Sequence, residues 1–300
     1  MKFLFSFGVI ATLASLLFSS CMDSSFQDPA IAFQEQWVKD TTSIGSYLRT
    51  NNVNALVDAS GVRFVIDSLA AGFPPRISST VKFKYTGRFL SGTVFDASTI
   101  SGLVNSFVSG FQIGMLLIPE GSKARIYIPS GLAYGASGSG SIPANAIIMF
   151  EIQLLEVVKT ETEKQRLAAD TISIDQYLAT NSIDAIHDQS GVRYVINELG
   201  TGGIPGLYSK VKFKYTGKLI SGGTEFISTT NEPTPDFDSR VINYIYGIQA
   251  VLPKLPVGTK ATLYIPSGLG FGAQSISSGT VSIPANSNLI YEVELLDIVN

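Results

Sequence analysis

Most of this 300-residue chain is spelled twice, and the repetition limits the fold before any single residue is interpreted. DTTSIGSYLRTN at 40–51 returns as DTISIDQYLATN at 170–181, SGVRFVI at 60–66 as SGVRYVI at 190–196, and VKFKYTG at 81–87 unchanged at 211–217, each pair 130 residues apart. RIYIPSGLAYG at 125–135 matches TLYIPSGLGFG at 262–272 at a spacing of 137. SIPAN and the closing pair FEIQLLEVV and YEVELLDIV recur at a spacing of 141. The second copy has therefore gained seven residues in its middle and four more just before SIPAN. Copies of over a hundred residues are too long for a solenoid repeat and long enough to bury a core each, so they read as tandem domains.

Within each copy the pattern is β-rich. VRFVI, VKFKYT and ARIYIP are β-branched and aromatic runs bounded by Gly, Pro and Ser, and the final FEIQLLEVV alternates Phe150, Ile152 and Leu154 with polar residues. FVSGFQIGML at 107–116 places Phe107, Val108, Phe111 and Met115 at helical spacing, which predicts one short helix lying on a sheet. Ahead of each copy, Ile44, Tyr47 and Leu48, and again Ile174, Tyr177 and Leu178, mark an amphipathic helix that Asp or Thr would open. TETEKQRLAAD at 160–170 is charged and helix-favouring, so the connection between the copies is expected to be helical.

Several function classes are closed off. A net charge of −3 suggests no nucleic-acid partner. Cys21 and His187 are the only residues of their kind. A metal site of several such ligands, or a Cys–His nucleophile, is therefore not available, and no cofactor is called for. His187 sits in the polar stretch DAIHDQSG and reads as a surface residue. Lys2 precedes an uncharged apolar run, Phe3–Phe18, shorter than the roughly 18–20 residues of a spanning helix. That run ends in LLFSSCMDSS and resembles a bacterial lipoprotein signal, with Cys21 as the lipidated first residue of the mature chain. An ordinary secretory peptide with a leftover cysteine is the alternative. In the first case the protein is anchored to a membrane through lipid and not threaded through it.

KYTG (84–87), VFD (94–96), SGFQIGM (109–115), KARIYIPSGLAYG (123–135), IPAN (142–145) and FEIQLLEV (150–157), in that order, resemble the FK506-binding-protein (FKBP) family of peptidyl-prolyl cis-trans isomerases. The resemblance covers 60–158 well and 190–300 more loosely. It implies an α+β fold of two tandem domains, each an antiparallel β half-barrel around a short helix, with a further helix ahead of each. The expected division is a signal peptide at 1–20, a linker and helix at 21–59, a catalytic domain at 60–158, a helical connector at 159–189 and a degenerate domain at 190–300.

The chemistry implied needs no nucleophile or metal. An X-Pro amide must twist out of conjugation across a barrier of about 18–20 kcal/mol. An apolar pocket withholds the solvation that stabilises the planar amide, and a shape fitted to the twisted form adds preferential binding. Carried over from the family, Tyr85, Phe95, Phe111, Tyr134, Ile142 and Phe150 form that pocket, with Phe107 and Val108 at the helix entrance and Asp96 as a carboxylate in the wall. The substrate-carbonyl donors map to the Tyr134 hydroxyl and the Ile142 N–H. Two departures stand out. Phe111 occupies the floor, often Trp in the family, and no arginine follows Asp96 to pair with it.

In the second copy Tyr215, Phe226, Ile283 and Tyr291 keep pocket positions, while the carboxylate has become Ile227, the floor Ile248 and the phenol Phe271. The FDS at 237–239 is a false match, too far downstream of Tyr215. The expectation is an isomerase acting on X-Pro segments of exported proteins in the cell envelope, able to take FK506-like macrolides at its first domain, with the second domain accessory. A non-catalytic peptide-binding or chaperone lipoprotein is the alternative.

Overall fold

The computed structural model describes residues 29–231, 239–278 and 281–299. The apolar run Phe3–Phe18, Cys21 and the Phe237–Asp238 pair lie outside the described residues. A long helix α1 (Pro29–Thr50) precedes the strands β1 (Leu56–Val57), β2 (Arg63–Ser68), β3 (Thr80–Phe89) and β4 (Val94–Leu103). The short helix α2 (Ser109–Met115) follows, then β5 (Lys123–Ile128) and β6 (Ile148–Val158). The six strands form one sheet in the order β1-β2-β5-β6-β3-β4, and every pairing is antiparallel.

Alternation sets the two faces. Along β3, Val81 and Phe83 turn into the concave face, and Lys82 and Lys84 turn outward. There they join Ile126, Ile128, Ile148, Ile152 and Leu154 from β5 and β6 around Phe111 and Met115 of α2. The opposite face of β5 and β6 is not left to solvent. Tyr127 and Met149 pack there against Ile44 and Leu48 of α1. Each domain is therefore a sheet covered on both sides, by a short helix within and a long one outside.

The second domain repeats this plan. α3 (Glu161–Thr180) precedes β7 (Ile186–His187), β8 (Arg193–Glu198), β9 (Lys210–Leu219), β10 (Glu225–Ser228) and β11 (Ser239–Arg240). Helix α4 (Tyr246–Val251) leads to β12 (Lys260–Ile265), β13 (Ile276–Ser278), β14 (Val281–Ile283) and β15 (Leu289–Val299). Its main sheet runs β10-β9-β15-β12-β8-β7, with β11 also paired to β9. The inserted residues are visible as architecture. The long β4 of the first copy is replaced by β10 and β11, and the residues added before SIPAN build the β13–β14 hairpin.

Two local expectations need correction. Asp40 does not open a helix. It sits in the middle of α1, buried at 2% exposure, and its Oδ2 accepts from the Ser130 N–H at 2.8 Å and the Ser130 hydroxyl at 2.6 Å. Asp170 repeats the arrangement with Ser267 in α3. The true start of α3 is capped by Thr160, whose side chain accepts from Glu163 N–H while Glu163 reaches back to the Thr160 amide. Connector and preceding helix are thus one continuous element. His187 is exposed, as its polar surroundings suggest, and lies in the two-residue strand β7, paired with Arg193.

Removing the Asp40 carboxylate would leave the Ser130 N–H and hydroxyl buried without an acceptor. Asp40→Ala should cost about 2–4 kcal/mol by urea denaturation, and Asp170→Ala a similar amount. A cost below about 0.5 kcal/mol would mean that helix and turn are held by apolar contact alone.

Candidate functional site

The concave face of the first sheet ends in an open aromatic cluster. Phe111 is its centre, 3% exposed, because α2 lies unusually close to β5: a Cβ on Gly110 would fall 2.2 Å from Ile128 and one on Gly114 2.4 Å from Ile126. Around Phe111 stand Phe107 at 5.0 Å between ring centroids, Phe83 at 5.2 Å and Phe150 at 5.2 Å, the last edge-on at 88°. Phe95 and Tyr85 continue the wall, 5.9 and 5.8 Å from Phe150. Ile142 is buried in the same cluster, and Val108 and Tyr134 pack against it half-buried. The structure therefore brings all eight apolar or aromatic positions together.

The KYTG and IPAN motifs have local explanations. Gly87 pairs with Asp96 across β3 and β4, beside the register shift that holds Phe95, and a Cβ there would fall 2.4 Å from the Phe95 ring. The ring leans over the strand only because that position is bare. Asn145 sits at φ 55°, and its N–H donates to the Gly135 carbonyl at 2.8 Å, closing the loop that carries Tyr134 and Ile142. Asn286 does the same to Gly272 in the second copy, at φ 58° and 2.8 Å. Asn tolerates this left-handed backbone better than most side chains.

Polar groups are sparse here. Tyr85 donates its hydroxyl to Asp96 Oδ2, so the carboxylate that lacks an arginine is paired with a phenol instead. Partial burial, then the hydrogen bond and charge of Asp96, push the Tyr85 phenol up to about 12. The Tyr134 hydroxyl has no hydrogen-bond partner among the described residues. The Ile142 N–H, expected to face a substrate carbonyl, is not free: it donates to Ser139 O at 2.8 Å within the tight 139–142 turn. Val108, the residue before the first turn of α2, holds its own N–H outside the helical ladder and makes no such donation among the described residues.

Sequence reading missed two positions. Phe83 forms the back wall and was signalled by its place between Val81 and Tyr85 in the alternating strand. Gln112 pins the helix entrance, its Nε2 donating to Phe107 O at 2.6 Å and Asn105 O at 3.3 Å. Gln249 repeats this on Tyr244 and Ile242. Among the described residues no group of three His, Cys, Asp or Glu side chains could hold a metal ion.

At the corresponding positions of the second domain Phe226, Ile248, Ile283 and Tyr291 are 7, 2, 1 and 4% exposed. Phe111, Ile142 and Phe150 of the first are buried as well, and Tyr215 is half-buried like Tyr85, so the one ring whose burial differs is Phe226, buried where Phe95 is half-buried. Phe271 lies edge-on to Phe226 at 6.1 Å, and Ile227 sits beside Gly217 where the carboxylate would be. Burial pushes the Tyr291 phenol well above its ordinary value.

A half-barrel wrapped on a short helix, with an aromatic cavity between them, defines the class. The family model for FKBP-type peptidyl-prolyl cis-trans isomerase matches residues 73–155 and 203–296, and the chain belongs to that family. It is 39% identical over 105 residues to the FKBP-type peptidyl-prolyl cis-trans isomerase FkpA of Aeromonas hydrophila, covering 33% of this chain and 39% of that protein. It is 38% identical over 105 residues to the FKBP-type 22 kDa peptidyl-prolyl cis-trans isomerase of Escherichia coli (strain K12), covering 33% of this chain and 51% of that one. The match thus spans about half or less of these relatives. The crystal structure of the three FKBP domains of wheat FKBP73 aligns with 80% of this chain and 96% of its own at 20% identity, with a TM-score of 0.35.

Gly87→Ala should displace the Phe95 ring and cost about 1–3 kcal/mol through overpacking, read by urea denaturation. Tyr85 should titrate near pH 12 by its phenolate absorbance. Its folded value is raised above the unfolded one, so its contribution to stability is complete below about pH 10 and is lost as pH rises through the folded value. In Asp96→Asn the phenol should titrate lower; no change would remove the carboxylate as a cause.

Proposed function

We propose that this protein is a peptidyl-prolyl cis-trans isomerase whose first domain, residues 60–158, turns over X-Pro segments, while its second, residues 190–300, is accessory. The observation that carries this reading is the contrast between the residues at corresponding positions of the two domains. The first keeps a phenol and a carboxylate beside its aromatic wall, with Phe95 half-buried, and the second has Phe271, Ile227 and Ile248 at those places and buries Phe226.

The mechanism follows from that wall. A proline ring seated on Phe111 between Phe107, Phe95 and Phe150 leaves its amide in surroundings that cannot hydrate the carbonyl, which weakens the planar, charge-separated form. The Tyr134 hydroxyl holds the substrate carbonyl as one neutral hydrogen bond. Asp96, held by Tyr85, supplies a fixed dipole at the wall and no proton transfer. With the Ile142 amide committed to Ser139, the second carbonyl donor in this reading is the Val108 N–H at the helix entrance. The same apolar cavity would take FK506-like macrolides.

The substrates proposed are proline-containing segments of exported proteins in the cell envelope. That context rests on the leader sequence and on the resemblance of LLFSSCMDSS to a lipoprotein signal, with Cys21 lipidated and the protein membrane-anchored. No helix among the described residues is long and apolar enough to cross a membrane. The loss of the Ile142 amide as a donor favours one alternative, a peptide holder without turnover.

Isomerisation of an X-Pro peptide by the whole protein separates these readings. Tyr134→Phe should lower kcat/KM by up to about tenfold, the worth of one neutral hydrogen bond. Phe111→Ala should abolish most activity and cost about 3–5 kcal/mol of stability. Phe271→Ala in the second domain should leave kcat/KM within about twofold. No activity in the wild type would establish the holder. Equal losses from the two domains would end the division of labour.

A further inference from the structure

The second domain carries a surface beside its pocket positions that holds a proline segment already. Residues 73–76 of the first domain, Phe-Pro-Pro-Arg, lie against α4 and the Gly268–Gly272 turn. Phe73 stacks on Tyr246 at 5.1 Å with the rings 16° from parallel, and the Tyr246 hydroxyl donates to the Pro74 carbonyl at 2.7 Å. Arg76 lies 4.8 Å from the Tyr246 ring centre and donates to the Gly268 carbonyl at 2.8 Å. Pro74 and Pro75 are both buried.

The participants are specific to their copy. Tyr246 stands where the first domain has Ser109, and Phe73–Arg76 where the second has Gly-Ile-Pro-Gly at 203–206. In the first domain the counterpart of Gly268 is Gly131, and the Phe33 ring of α1 covers it. At that place in the repeat α3 carries Glu163, which is spent capping its own helix, so Gly268 is left for Arg76. A second copy-specific tyrosine, Tyr208 in the place of Ser78, donates to Leu117 O of the first domain at 2.6 Å.

An aromatic face, a hydroxyl aimed at a proline carbonyl and a cationic neighbour are how extended proline segments are commonly recognised, since such segments offer carbonyls and few N–H groups. We propose that the Tyr246 face of the second domain is a docking site for aromatic–proline–proline–basic segments. In this chain it is occupied by Phe73–Arg76, which fixes the two domains against each other. The site lies outside the aromatic cavity, and it stands whether or not the first domain is an isomerase.

The test empties the site in the full chain. Phe73→Ala/Arg76→Ala should bind the peptide acetyl-Gly-Phe-Pro-Pro-Arg-Ile-amide, by calorimetry, at least about tenfold more tightly than wild type, in which the tethered segment competes at an effective concentration in the millimolar range. Adding Tyr246→Ala should abolish that binding, and adding Tyr246→Phe should weaken it. If the double variant does not fold, Arg76→Ala alone should show the same gain at smaller amplitude. Equal binding to wild type and the emptied variant, or none to the emptied variant, overturns the proposal. Binding that survives Tyr246→Ala also overturns it, because the peptide is then held elsewhere, the first-domain cavity included.

Discussion

The contact between the short helix and β5 is the constraint on which the rest of the first domain depends. With no side chain at Gly110 and Gly114, α2 settles directly onto Ile128 and Ile126, and Phe111 becomes the floor of a cavity instead of the apex of a raised helix. A helix of seven residues has little stability of its own, so its position comes from this packing and from Gln112, which ties the residues before it to the helix. A shift of α2 by the thickness of one methyl group would move Phe111 away from Phe83 and Phe150, which stand on the sheet. The arrangement of the aromatic rings is a consequence of helix seating.

The second copy shows which parts of that arrangement the fold needs. Gly247 still lies against Ile265, Gln249 still holds Tyr244, and Asn286 still closes its loop. Asp170 still grips Ser267. Among the pocket positions, a carboxylate became Ile227, an aromatic floor Ile248 and a phenol Phe271. The replacements of the carboxylate and the phenol remove polar atoms that need partners, while Ile248 keeps the floor apolar and buried with a smaller side chain. Within one chain, the two copies separate what holds the half-barrel together from the polar groups at its pocket positions.

Much of this was legible in the sequence because period-2 alternation and repeated punctuation are local signals. VKFKYT has to place Val81, Phe83 and Tyr85 on one face, and the α2 pattern has to turn Phe111 and Met115 to the sheet. The misreadings share a cause, which is that the deciding partner is distant or is backbone. A carboxylate just ahead of an apolar i, i+3, i+4 run looks like a helix cap, and nothing near Asp40 reveals that its partner is Ser130, 90 residues away. The Ile142 amide was assigned to a substrate because a backbone N–H carries no sequence signature. Its engagement by Ser139 depends on how the Ser/Gly loop folds back. Gln112 reads as an ordinary polar residue on a short helix until its carbonyl partners are seen.

Asp40 also alters how the long helices are understood. They lie outside the motifs that mark the half-barrel, and on sequence alone they could be spacers. Yet Asp40 grips Ser130 at the base of the turn that leads to Tyr134, and Ile44 and Leu48 cover the outer face of the strands that carry Ile126 and Phe150 on the inner one. The sheet is one residue thick, so its outer support and its inner cavity are mechanically the same object. A buried carboxylate is a costly way to attach a helix unless both hydrogen bonds form, which makes the attachment sharply sensitive to position where apolar packing would tolerate sliding. Repeated in α3 with Asp170 and Ser267, the same clamp sets the second domain on the helix that also leaves the first. The orientation that lets Tyr246 meet Pro74 is therefore constrained from two sides, by a rigid helix with a capped start and by side chains that only one copy possesses.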